Sequence, residues 1–126
     1  MSEPQPAPCG VVDLLAASQA SGGGGPAWTY AGADLNVNLI VLAAPGGVAE
    51  HVNAEVEVLL VGVEGAGVVT VDGQAHPLGA GQVLIVPRGT RRAIAPSTAR
   101  FVYLTCHRRR AGLWPTNVAR PDAEAP

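Results

Sequence analysis

The sequence contains no lysine, and its eight basic residues are all arginine. All eight lie at or after Arg88, whereas eight of the ten acids precede that point. The formal net charge is −2, so neither nucleic acid nor an anionic membrane is an expected partner. Aromatic residues are scarce at 4%, which leaves Val, Leu, Ile and Ala to fill a core. The two cysteines, Cys9 and Cys106, are too few for a disulfide framework. Both are read as free thiols in a reducing, cytoplasmic compartment. The start has no basic n-region, and Asp13 interrupts the short apolar stretch there, so no secretory signal is expected. No run approaches the ~18 apolar residues of a membrane span.

What is present is a chain of 126 residues, 48% hydrophobic, with 16 Gly and 11 Pro. That length fits one domain. The breaker density suits short strands and turns better than long helices. Arginine without lysine, in an Ala-, Gly- and Val-rich chain, is a composition associated with GC-rich bacterial genomes.

The segment 1–26 reads as a flexible N-terminal arm: a Pro-rich start, a helical turn over Val11 to Ala20, and a Gly linker over Ser21 to Gly25. Residues 27–110 read as the folded domain and 111–126 as a C-terminal tail. Ordered structure is expected to begin near Ala27 to Tyr30. Apolar or β-branched runs follow at Leu35–Ala43, Glu55–Val63, Val68–Val71, Ala75–Leu78, Val83–Val86, Arg91–Ala95 and Phe101–Cys106. Asp72-Gly73 between two of them is a type I′ hairpin signal. Strands at this spacing with no helix between them indicate an all-β barrel or sandwich.

His51, Asn53, Glu55 and Glu57 have equal parity, so an unbroken strand places them on one face. Such a face is either solvated surface or the lining of a polar pocket. Tyr103 alternates with Phe101 and Thr105 and reads as core or barrel lining. His76, and His107 with Arg108 to Arg110, read as exposed. Trp114-Pro115 reads as a segment packed on the barrel or on a second subunit.

Two segments carry a motif pair. The first is Gly46, then His51-Val-Asn53, Glu57 and Gly65; the second is Gly81, then Pro87-Arg-Gly89, Arg92 and Pro96. They resemble the paired motifs of the cupin superfamily over roughly Leu35 to His107. The glycines and Pro87 carry the fold signal, since they set turns that other residues resist. The resemblance implies a cupin-type jelly-roll β-barrel with a small-molecule site in its mouth. It also implies a homodimer, because cupins commonly dimerise.

Metal-binding cupins use two His and a Glu from the first motif and one His from the second. Here His51 keeps the first His position, Asn53 replaces the second, and Arg92 replaces the last. Glu57 matches the Glu if a bulge absorbs one residue before Gly65; counted back from Gly65, the slot falls on Val58. An Asn carbonyl is a weak ligand for first-row metals. A guanidinium has no acceptor at all. No cofactor is therefore expected. If a metal is bound, His51 and Glu57 are its candidate ligands.

The leading reading is a non-enzymatic or regulatory cupin that binds a small polar or anionic molecule in the barrel mouth, with His51, Asn53, Glu55, Glu57, Arg92 and Tyr103 as pocket residues. Arg92 is expected to pair with Glu57 in place of the missing cation. The alternative is a metal-dependent isomerase, dioxygenase or decarboxylase with an atypical ligand set. No catalytic residue is assigned.

Overall fold

The computed structural model describes residues 9–20 and 25–109. The Pro-rich start, most of the Gly linker, Arg110 and the Trp114 tail lie outside these residues. Among the described residues, helix α1 (Leu14–Ala20) is followed by nine strands. These are β1 (Gly25–Ala31), β2 (Leu35–Ala43), β3 (Val48–Val52), β4 (Val58–Glu64), β5 (Ala66–Val71), β6 (Gln74–Gly79), β7 (Val83–Val86), β8 (Arg91–Pro96) and β9 (Arg100–Arg108).

The strands form two antiparallel sheets, one in the order β1-β2-β9-β4-β7 and one in the order β3-β8-β5-β6. The expected all-β jelly roll is therefore present. Alternation explains how the sheets close on one another. Val58 and Leu60 of β4, Phe101 and Tyr103 of β9, Val69 of β5 and Ile94 of β8 all turn inward into one core cluster. The β5–β6 connection is the expected turn: Asp72 and Gly73 have φ of 48° and 82°, as a type I′ hairpin requires.

The structure departs from the sequence reading at three places. Strand β3 was not anticipated: it holds two polar residues and has no buried position, so its alternation is weak. Strand β4 begins at Val58 rather than Glu55. Strand β1 begins at Gly25, ahead of the expected Ala27, and α1, the helical turn expected over Val11 to Ala20, packs on the barrel.

The packing of α1 has physical causes. Asp13 Oδ1 accepts from the Ala16 N–H at 3.0 Å, which caps the first turn. Leu14 and Ala17 lie against Leu39, Val41 and Val102 on the outer face of the five-stranded sheet. The Arg100 guanidinium donates to the Ser18 carbonyl and pairs with Glu64 at 3.2 Å, which ties the helix end to β9 and β4.

Candidate functional site

The site begins at the β3–β8 pair. His51 lies opposite Arg92 in register. Arg92 has the same parity as Ile94, a core residue, so its side chain turns inward and is only 1% exposed. Its Nε donates to His51 Nε2 at 3.1 Å. His51 Nδ1 lies 2.9 Å from the Ala49 carbonyl. An imidazole that accepts at Nε2 carries its proton on Nδ1, so His51 donates to Ala49 and presents a lone pair to Arg92.

Tyr103 enters from the other sheet, on β9, and is fully buried. Its hydroxyl is within reach of no hydrogen-bond partner among the described residues. Burial pushes the phenol well above its ordinary range, and the positive charge of Arg92 opposes that shift. Tyr103 therefore stays protonated and can donate.

Asn53 sits one residue past the end of β3 and is 2% exposed. Its Oδ1 accepts from the Glu55 and Val56 N–H groups at 3.0 and 3.3 Å, an Asx-type turn. Its Nδ2 is buried without a hydrogen-bond partner among the described residues. Asn53 also anchors the second motif, since its carbonyl accepts from the Gly89 N–H at 2.7 Å.

That turn corrects the parity argument. The chain leaves the strand at Asn53, so Glu55 and Glu57 no longer follow His51 on one face. Val56 is buried, whereas Glu55 and Glu57 are exposed. They line an open depression of about 410 Å³ with Val56, Pro87, Arg88 and Arg108. None of the inward residues His51, Arg92 and Tyr103 lines it. The expected Arg92–Glu57 pair is not formed. A register shift between Gly62 and Glu64 does absorb a residue, yet the inward position is Val58, which is fully buried.

One inward residue escaped the sequence reading. His107 is 6% exposed and shares parity with Phe101, Tyr103 and Thr105. That parity was visible in the sequence, but the following arginines suggested a solvated end. Arg108, by contrast, is exposed as expected, and His76 is half-buried rather than exposed.

These residues do not suit a divalent metal. Arg92 stands where the last His would be, Asn53 Oδ1 is committed to two backbone donors, and His51 Nε2 accepts from a guanidinium. No group of three His, Cys, Asp or Glu side chains among the described residues could hold one. What the site offers instead is donors: a guanidinium, a phenol hydroxyl and an amide NH2.

Comparison with known proteins agrees with the fold. The family model described as Cupin domain matches residues 39–106. The structure is similar to that of KdgF from Halomonas sp., with a TM-score of 0.62 at 16% identity over 68% of this chain and 78% of that one. It is similar to a cupin superfamily protein from Desulfitobacterium hafniense, with a TM-score of 0.59 at 26% identity over 65% and 74%. A predicted oxalate decarboxylase from Thermotoga maritima gives a TM-score of 0.55 at 19% identity over 59% and 65%. No curated protein matches the chain. No helix among the described residues is long and apolar enough to cross a membrane.

Proposed function

This chain belongs to the cupin family, and from that premise we propose that it binds a small anionic molecule inside the barrel mouth without a conventional metal site. The observation that carries the reading is the burial of Arg92 at 1% exposure on an inward position of β8. A guanidinium is costly to desolvate, and its planar fork matches a carboxylate with two parallel hydrogen bonds.

The two buried groups without partners support the same reading. Asn53 Nδ2 is a donor, and Tyr103 is held in its protonated, donating form. A ligand rich in acceptors, such as a small carboxylate, satisfies both and can accept from the Arg92 guanidinium as well. The two free cysteines support a reducing, cytoplasmic setting.

The test is calorimetric titration with acetate, oxalate, malonate and inorganic phosphate, backed by thermal shift. At least one of these should bind saturably and raise Tm. Arg92→Lys keeps the charge and loses the fork, so it should weaken binding. Arg92→Met should weaken it by about 10–150-fold, the equivalent of one charge-assisted hydrogen bond at roughly 1.5–3 kcal/mol. Undiminished binding in a folded Arg92→Met protein would sink the proposal, as would silence of the whole panel.

A further inference from the structure

The outer face of the five-stranded sheet is apolar, and α1 covers only part of it. One registered row crosses it as Val37, Cys106, Leu59 and Ile85. Towards α1 this face is closed: Leu39, Val41 and Val102 are fully buried. Towards β7 it is open, with Ile85 49% exposed, and Leu35 47% exposed at the end of β2. Leu35, Leu59, Ile85 and Cys106 wall a hollow of about 350 Å³ there, bordered by Glu57 and Arg108.

We propose that this hollow is the seat of Trp114, carried back onto the sheet by the chain that leaves β9. The chemistry of the hollow suits an indole. An indole has a large apolar body and a single N–H donor that needs an acceptor when buried. Three aliphatic side chains and a thiol supply the apolar walls, and the Glu57 carboxylate on the border supplies an acceptor. The Arg108 guanidinium on the same border can lie over the ring face, the arrangement that a ring quadrupole favours. Neither Glu57 nor Arg108 makes an ion pair among the described residues.

The place where the described chain ends argues for this occupant over a separate partner. It ends at Arg109, one residue past β9. The hollow reaches that exit, because Leu35 lies opposite Arg108 in register. Its far wall is near too: Ile85 is two strands from Cys106, about 10 Å away at ordinary strand spacing. Five residues take the chain from Arg109 to Trp114, a reach of up to about 17 Å. Gly112 lies between them and permits the reversal that the path needs. A tether this short holds the indole at an effective concentration of about millimolar, which a free partner would have to match. Leu113 precedes Trp114 and extends the apolar contact towards Ile85.

The chain carries two reporters for the test. It has two tryptophans, so Trp28→Phe leaves Trp114 as the sole indole. It has two free cysteines, of which Cys106 lies in the hollow and Cys9 is exposed. In the Trp28→Phe protein, Trp114 emission should be blue-shifted from that of a water-exposed indole, and adding Ile85→Glu should return it to the red. In the wild type, Cys106 should react with a water-soluble disulfide reagent more slowly than Cys9. Trp114→Ser, which leaves the barrel sequence intact, should speed Cys106 by about tenfold, since reaction no longer waits for the cover to open. The Cys9 rate and the circular dichroism should stay unchanged. Water-exposed emission from Trp114 overturns the proposal, as does a Cys106 rate indifferent to Trp114→Ser. Protection of Cys106 that fades on dilution overturns it too, because the cover is then a second copy rather than the chain's own segment.

Discussion

Tyr103 concentrates the tension between stability and binding in this barrel. Its hydroxyl is buried without a hydrogen-bond partner among the described residues, a state that costs about 1–3 kcal/mol. Tyr103→Phe removes that cost and keeps the ring beside Phe101, 5.2 Å away between centroids. The ligand-free variant should therefore melt at or above the wild-type temperature, while its affinity for the anion falls. A variant that melts lower without ligand would show that the hydroxyl is satisfied. The same residue sets an alkaline limit. Its folded pKa is raised, so its contribution is complete below the unfolded value near 10 and is lost as pH rises from there towards the folded value. Urea unfolding between pH 9 and 11 should show wild type losing stability faster than Tyr103→Phe. Arg92 and Tyr103 were legible in the sequence, one from its motif position and one from alternation. Glu57 was not, because the Asn53 turn that reverses its direction depends on backbone N–H groups that no residue pattern reveals.

At the level of elements, the β5–β6 hairpin was the clearest feature of the sequence, and its turn offers a clean test. Gly73 has φ of 82°, and a Cβ placed there meets nothing within 4 Å. Any penalty for a side chain is then a backbone penalty alone. Gly73→Val should destabilise by more than about 1 kcal/mol in urea unfolding, and Gly73→Asn by distinctly less, since Asn tolerates the left-handed region. Equal losses for both would mean that packing, not φ, governs the site. Strand β3 shows the opposite case. Val48 to Val52 has no buried position, and its place is fixed by pairing with β8 rather than by its own pattern. Since β3 carries His51, half of the Arg92 contact rested on an element that only tertiary structure defines.

At the scale of the molecule, the decisive feature is an apolar sheet with two hydrophobic faces and, among the described residues, one short helix to cover the outer one. Alternation along β4 turns Val58 and Leu60 one way and Leu59 and Val61 the other, but alternation alone does not say what lies against the second set. The structure assigns part of that task to α1, through Leu14, Ala17 and the Arg100 contact with the Ser18 carbonyl. Removing residues 1–20 should therefore lower stability, contrary to what a flexible arm would give. Half-burial of a leucine and one half-buried charge-assisted hydrogen bond together suggest about 2 kcal/mol, or a Tm lower by roughly 8–16 °C. The truncated chain should also bind an apolar dye more strongly, because Leu39, Val41 and Val102 lose their cover. Unchanged dye binding and an unchanged Tm on truncation would show that α1 does not cover this face.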